Sequence, residues 1–243
     1  MTKPSIPLLD EVLAAHGGIA RWRQLKGLAS TIVTGGRLWS LKGIDMDRTP
    51  RRATTDFHRQ WTQVGGFGNP DWTMTWIPEH VEITNRSGEV IAERDHGRNA
   101  FGDRGRDTPW DPLNLAYFNG YAMWTYHAVP FLFAEPGYDV SEIAPIDHEG
   151  QALRGLGVRV PKEIHTHTRN QRFYFGADAL LRRHDYEVDV WANAPAAHFL
   201  SDYIDVDGFK FPSRRSVYAR QADNSPDYGF NTVTVELSDY TLR

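Results

Sequence analysis

Residues 164–191, IHTHTRNQRFYFGADALLRRHDYEVDVW, decide how the chain is read. Two runs rich in aromatic and β-branched residues flank Gly176-Ala177-Asp178-Ala179, a pattern that predicts one long antiparallel hairpin. Symmetric pairing about that turn puts Phe175 opposite Leu180, Phe173 opposite Arg182 and Gln171 opposite His184. Further out, Arg169 faces Tyr186, His167 faces Val188 and His165 faces Val190. Side chains alternate along a strand, so all of these share one face. The other face carries Thr166, Thr168, Asn170, Arg172, Asp185, Glu187 and Asp189, with Tyr174 and Leu181 near the turn. A one-residue slip regroups the pairs but keeps each strand's alternation. The expected sheet has a polar face and an apolar face with three histidines set into it, suited to covering a core or lining a cavity.

Outward from the hairpin the pattern stays extended. Strands are expected at 138–146, 151–160, 198–206, 209–220 and 230–242, with Asp207-Gly208 a strong hairpin turn. In the last of these Val233, Val235 and Leu237 face inward while Thr232, Thr234, Glu236 and Ser238 face out. The first half gives strands at 28–42, 51–64, 72–77, 80–85 and 89–95, punctuated by turn signals such as Gly35-Gly36, Asn69-Pro70-Asp71 and Ser87-Gly88. Two helices precede them, over 7–16 and 18–25, and residues 97–107 read as a polar loop that can serve as a mouth or lid. Strand after strand at short spacing argues for an antiparallel meander of 11 or 12 strands rather than βαβ units. The class is mainly β (α+β), and no linker or repeat divides residues 1–243, so a single domain is expected.

Residues 108–135 are the one helical insertion. Thr108-Pro109-Trp110-Asp111 offers an N-cap residue, a proline at the first helical position and an acid close behind. Eight of the chain's 30 aromatic residues fall between Trp110 and Phe133. Gly120 is expected to break the segment into two helices, with Pro136-Gly137 ending it. Apolar residues on more than one side predict burial on two faces, as a plug or lid.

Composition narrows the function. A net charge of −4 gives no pull toward nucleic acid or an anionic membrane, so neither is an expected partner. The absence of cysteine excludes disulfides and thiolate chemistry. The N-terminal residues lack the apolar run of a signal peptide, and the most apolar stretch, 112–134, is too interrupted for a membrane span. These readings lead to an expected cytoplasmic location. No phosphate-binding glycine loop and no G-x-S-x-G elbow is present.

The opening LLDEVLAAHGGIARWRQLKGLASTIVTGG (8–36) is similar to the entry of the LolA/LolB lipoprotein-carrier superfamily. The strand pair QRFYF (171–175) and LLRRHDY (180–186) and the turn VDGFKFPSRR (206–215) add to the likeness. The resemblance covers nearly the whole chain in layout. It implies a strongly curved antiparallel half-barrel of about 11 strands plugged by helices, and a role in carrying lipid or acyl groups. Lacking an export signal and an anchoring cysteine, the chain also resembles a cytoplasmic outlier type similar to the violacein-pathway protein VioE, which implies cofactor-free chemistry in the same half-barrel.

His165 and His167 form an H-x-H whose β-carbons lie about 7 Å apart on a strand. They are the candidate catalytic residues, and with a third ligand from Asp202, His198 or Gln171 they allow a divalent metal. Gln171 stands where a cupin-type site has Glu, which weakens that reading, and no cofactor is otherwise expected. His184 is expected four pairs from His167, on the order of 14 Å away, and so apart from it. An apolar or aromatic small molecule is the expected partner. Trp110, Tyr117, Tyr121 and Trp124 on the helical lid and Arg169, Gln171, His184 and Tyr186 on the hairpin would contact it. Arg169, Arg182 or Arg215 at the rim could pair with a carboxylate. The alternative is an enzyme of lyase, isomerase or cyclase type using His165 and His167 in the same cavity. Open edge strands leave room for a homodimer.

Overall fold

Tight turns at the expected places fold the chain into successive hairpins. At Asp207-Gly208, for example, both residues adopt positive φ (51° and 81°), as a two-residue hairpin turn requires. The computed structural model describes residues 6–45, 48–102 and 105–243. Helices α1 (Pro7–Ala15) and α2 (Ile19–Trp22) lead into β1 (Gly27–Gly35) and a short α3 (Leu38–Leu41). Strands β2 (Arg51–Asp56), β3 (Thr62–Gly65), β4 (Thr73–Ile77), β5 (His80–Thr84) and β6 (Val90–Asp95) follow, then α4 (Pro112–Ala128). The second half comprises β7 (Asp139–His148), β8 (Gln151–Arg159), β9 (Asn170–Phe175), β10 (Leu181–Val188), β11 (Ala194–Val206), β12 (Phe209–Arg220) and β13 (Pro226–Leu242).

All thirteen strands belong to one antiparallel sheet, in the order β6-β5-β4-β3-β2-β1-β13-β12-β11-β10-β9-β8-β7. The chain starts in the middle of the sheet, meanders out to the β6 edge, crosses through α4 to the β7 edge and meanders back. The β1–β13 seam, from Leu28 opposite Leu242 to Gly35 opposite Thr234, is where the two halves meet. The sheet is curved and unclosed, and α4 fills its concave side, touching β2 to β6. This is the expected half-barrel, with thirteen strands in place of about 11. The expected strands at 28–42 and 51–64 both differ from those observed, and the second adds one to the count. The first turns into α3 after Gly35-Gly36, and the second divides into β2 and β3 around a turn at 57–61.

The helical insertion departs from expectation at both ends. Its cap is Asp111, three residues beyond Thr108, and the first helical position is Pro112 rather than Pro109. The Asp111 carboxylate accepts from Asn114 N at 2.8 Å, while Asn114 Oδ1 accepts from Asp111 N at 3.2 Å, a reciprocal capping box. Gly120 does not break the helix. A side chain there would lie 2.3 Å from Trp76 Cγ, so glycine lets β4 pack directly against the helix. The helix ends at Val129-Pro130, ahead of Pro136-Gly137. Every residue from Leu113 to Ala128 is buried, so α4 is a plug enclosed on all sides.

The deciding hairpin is shorter than expected. Residues 164–169 form a loop in which side chains take several of the backbone bonds, while Asp189 N and Val160 N donate to the His167 and Arg169 carbonyls. Gln60 bonds both the N–H and the carbonyl of His165, and Gln171 Nε2 donates to Thr166 Oγ1 and the Thr168 carbonyl. A bulge between Leu181 and Arg183 shifts the register, so Phe173 rather than Gln171 lies opposite His184. The face carrying Gln171, Phe173, Phe175, His184, Tyr186 and Val188 does point to the core. The other face is less exposed than its polarity suggests. Arg183 and Asp185 are buried there as a bidentate pair at 2.7 and 2.9 Å, with Arg183 also donating to the Asn224 carbonyl.

Candidate functional site

The concave face of β10 to β13 and one side of α4 enclose a polar cluster inside an aromatic core. His184 and His198 are paired across β10 and β11, and His198 pairs in turn with Val217 on β12. His167 reaches the same place from the loop before β9, stacked on Tyr186 at 4.2 Å and 9°. His184 lies 4.4 Å from the same Tyr186 ring and 5.7 Å from His198. The three histidines therefore gather around Tyr186, which corrects the expected separation of His184 from His167. The long loop folds inward, where an extended strand would have run on along the sheet.

His165 and His167 are not a pair. His165 is half-buried and sits 2.6 Å from Tyr117 Oη through its Nδ1, whereas His167 is buried and lies 3.2 Å from Tyr121 Oη. Arg98 holds the loop between them by donating to the Thr166 carbonyl at 3.1 Å and to Asp189 at 2.9 Å. Among the described residues no three His, Asp or Glu side chains are arranged to hold a metal ion. Asp202 lies on β11 with a positive φ of 55° and is engaged by Arg214 at 3.5 Å, its side chain exposed.

Burial governs the charge of this cluster. Desolvation lowers His167 to about 3, with the Arg98 charge adding to the effect, and takes His184 and His198 well below the ordinary imidazole range. All three are neutral at pH 7. The Gln171 amide nitrogen is committed to Thr166 and Thr168, so its oxygen accepts from His184 Nε2 at 2.6 Å, which fixes the tautomer of that ring. His198 has no hydrogen-bond partner on either nitrogen, nor has His167 on Nε2. Arg215 is buried beside them, its guanidinium carbon 4.5 Å from the centre of the Tyr126 ring and its Nη2 donating to the Tyr126 carbonyl at 2.8 Å. The expectation of a rim position for Arg215 is thus corrected to an interior one, since the strand it occupies is covered by α4.

Next to this cluster is a cavity of about 300 Å³. Leu38, Phe118, Val188, Trp191, Val217 and Val233 supply apolar wall, and Tyr126 and Tyr186 separate it from the histidines and Arg215. At its mouth Lys42 is buried, bonded to the Arg106 carbonyl and, at 3.2 Å, to the Thr108 carbonyl. Its ammonium group stands 5.3 Å from the Trp110 ring and 5.6 Å from Trp191. Desolvation lowers it to about 8. Arg106 and Asp107 of the expected mouth loop thereby line the cavity, while 103–104 lie outside the described residues.

Of the residues singled out from sequence, Tyr186 lines this cavity. Trp110 packs on Phe101 and Phe118, and Tyr117 and Tyr121 turn their hydroxyls to His165 and His167. Trp124 donates to the carbonyls of Asp56 and Arg59 and walls a second hollow of about 240 Å³ with Trp22, Phe57 and Tyr138. Arg169 is exposed and donates to the Val160 carbonyl. Gln171 and His184 are buried behind Tyr186. Tyr126 and Val217 were missed as site residues because each reads as ordinary core in its own segment. No helix among the described residues is long and apolar enough to cross a membrane.

No family model matches the chain, and no curated protein matches it. Solved structures do. A DUF1329 family protein from Desulfovibrio piger is 11% identical with a TM-score of 0.55, covering 99% of this chain and 94% of its own. A putative outer membrane lipoprotein-sorting protein domain from Vibrio parahaemolyticus is 9% identical with a TM-score of 0.53, covering 98% and 91%. A LolA superfamily protein from Nitrosomonas europaea is 10% identical with a TM-score of 0.52, covering 96% and 92%. The chain has the LolA-type fold over nearly its whole length.

Proposed function

We propose that this protein binds an apolar or aromatic small molecule in the cavity between α4 and strands β10 to β13. The cavity itself carries the reading: about 300 Å³ of mainly apolar wall, left open beside a core rich in buried aromatic side chains. A hollow of that size and lining matches the lower range of small-ligand sites. The fold supports the reading, since one protein sharing it is described as a lipoprotein-sorting domain. Ala196 lines the cavity between Tyr186 and Ala219, so Ala196→Phe would place a ring in the empty space. A panel of C8 to C12 amphiphiles and aryl compounds is expected to raise the melting temperature of the native protein and to survive as complexes in native mass spectrometry. Ala196→Phe is expected to remove both effects while the protein stays folded. If no member of the panel shifts melting or is retained, the cavity is not a binding site.

A further inference from the structure

Arg215 is a buried cation with no anion to meet it. It is 5% exposed and sits on β12 between Leu200 of β11 and Val235 of β13. None of the ion pairs among the described residues includes it. Its Nε finds no acceptor, and the groups that act on it are the phenols of Tyr240, Tyr126, Tyr203 and Tyr186. The nearby imidazoles of His184 and His198 cannot offset the charge. A lone buried charge is among the costliest arrangements in a protein interior, and a counter-charge relieves it.

The other open valences lie on the same side of the cavity. The Tyr126 and Tyr186 hydroxyls are close enough to act on each other, and each carries a phenolic proton that can be donated. Both rings border the cavity. Behind them His198, 5.0 Å from the Tyr126 ring, has two unpartnered nitrogens. The opposite walls, Leu38, Phe118, Trp191 and Val233, are apolar; of the charged residues on the lining, Arg220 is already paired with Glu187, and Arg106 and Asp107 carry opposite charges. One end of the cavity is therefore donor-rich and backed by an unpaired positive charge, and the rest of its wall is mainly apolar.

We infer that the ligand enters head first and that its head is a carboxylate, received by the Tyr126–Tyr186 phenols with Arg215 behind them. A monoanion matches the single uncompensated charge, and a planar carboxylate accepts from phenol and guanidinium alike. At about 30 Å³ per non-hydrogen atom, the space holds a body and head of about ten such atoms. This rests on the binding reading above and specifies its ligand as a medium-chain or arylalkyl carboxylic acid.

Octanoate and octan-1-ol share a chain and differ at the head, so isothermal titration of both into the full-length protein at pH 7 separates the two readings. Octanoate is expected to bind at least tenfold more tightly. In Arg215→Met the acid-over-alcohol ratio is expected to fall toward one. Tyr126→Phe, which keeps the ring and removes one hydroxyl, is expected to lower the ratio several-fold and serves if Arg215→Met does not fold. Equal affinity for acid and alcohol in the native protein would overturn the carboxylate assignment and leave the apolar cavity standing. Binding of neither would overturn the cavity reading itself.

Discussion

His127 shows what burial does to single residues in this protein. Its two ring nitrogens meet Ser30 Oγ at 2.9 Å and Thr55 Oγ1 at 3.0 Å, so the neutral ring is fully satisfied where an imidazolium would have no anion. Desolvation lowers it to about 3, and the same cause lowers His16 to about 4. With His167, His184 and His198, five buried histidines are neutral when folded and free to protonate when unfolded. Their folded pKa values lie below the unfolded value near 6.5, so the unfolded chain binds more protons as pH falls. Stability is therefore full above about pH 6.5 and declines toward the folded values, by up to about 1.4 kcal/mol per pH unit for each group. Against a typical total of 5–15 kcal/mol, we expect cooperative unfolding at about pH 5, before most carboxylates titrate. Urea midpoints measured from pH 8 to pH 5 would check this. A midpoint unchanged across that range would show that the histidines are solvated.

Among the elements, α4 joins local sequence to the tertiary fold most directly. Its start obeys local rules, because Asp111, Pro112 and Asn114 are a cap, a first-turn proline and a capping partner in sequence. Its middle does not. In an isolated helix Gly120→Ala would be stabilising by about 1 kcal/mol. Here the added methyl would meet Trp76 Cγ at 2.3 Å and Cβ at 2.5 Å, close to where Thr62 Oγ1 donates to the Gly120 carbonyl at 2.8 Å. The helix must then lift from β4, at a cost of about 1–3 kcal/mol. Gly120→Ala is expected to lower the urea midpoint while a peptide of residues 111–129 gains helicity from the same change. A stabilised protein would mean that the helix and β4 are less closely packed than described.

At the scale of the molecule, the two halves of the sheet depend on the β1–β13 seam and on α4. Leu237 is 3% exposed and lies opposite Ile32 across that seam. Leu237→Ala leaves a cavity there, with an expected cost of about 2–5 kcal/mol. Because the seam and the plug couple both halves, hydrogen exchange should show equal loss of protection in β4 and β9, which lie on opposite sides of it. Loss confined to β11–β13 would show instead that the halves unfold separately. The cavity belongs to this scale as well. Its wall is drawn from α3, α4, β10, β11, β12 and β13, and no single element contains a recognisable part of it.

The residues of the chain specified the meander. Alternation from Val233 to Ser238 in β13, the turn at Asp207-Gly208 and the inward face of Phe173, His184 and Tyr186 are local consequences of a two-residue period, whereas Thr232, expected outward, is buried with its hydroxyl donating to the Val217 carbonyl. They were legible because strand faces and turn chemistry depend on neighbours in sequence. The three-dimensional packing decided everything that depends on partners. The alternating His-Thr-His-Thr run has the pattern of a strand, yet Gln60, Gln171 and Arg98 take several of its backbone bonds and it folds as a loop. That fold-back divides His165 from His167 and brings His167 to His184 and His198. Arg215 reads as a surface residue until α4 covers its strand. Local pattern sets which way a side chain points, but only the assembled sheet and plug set what it meets there, and for this protein the proposed site consists of such meetings.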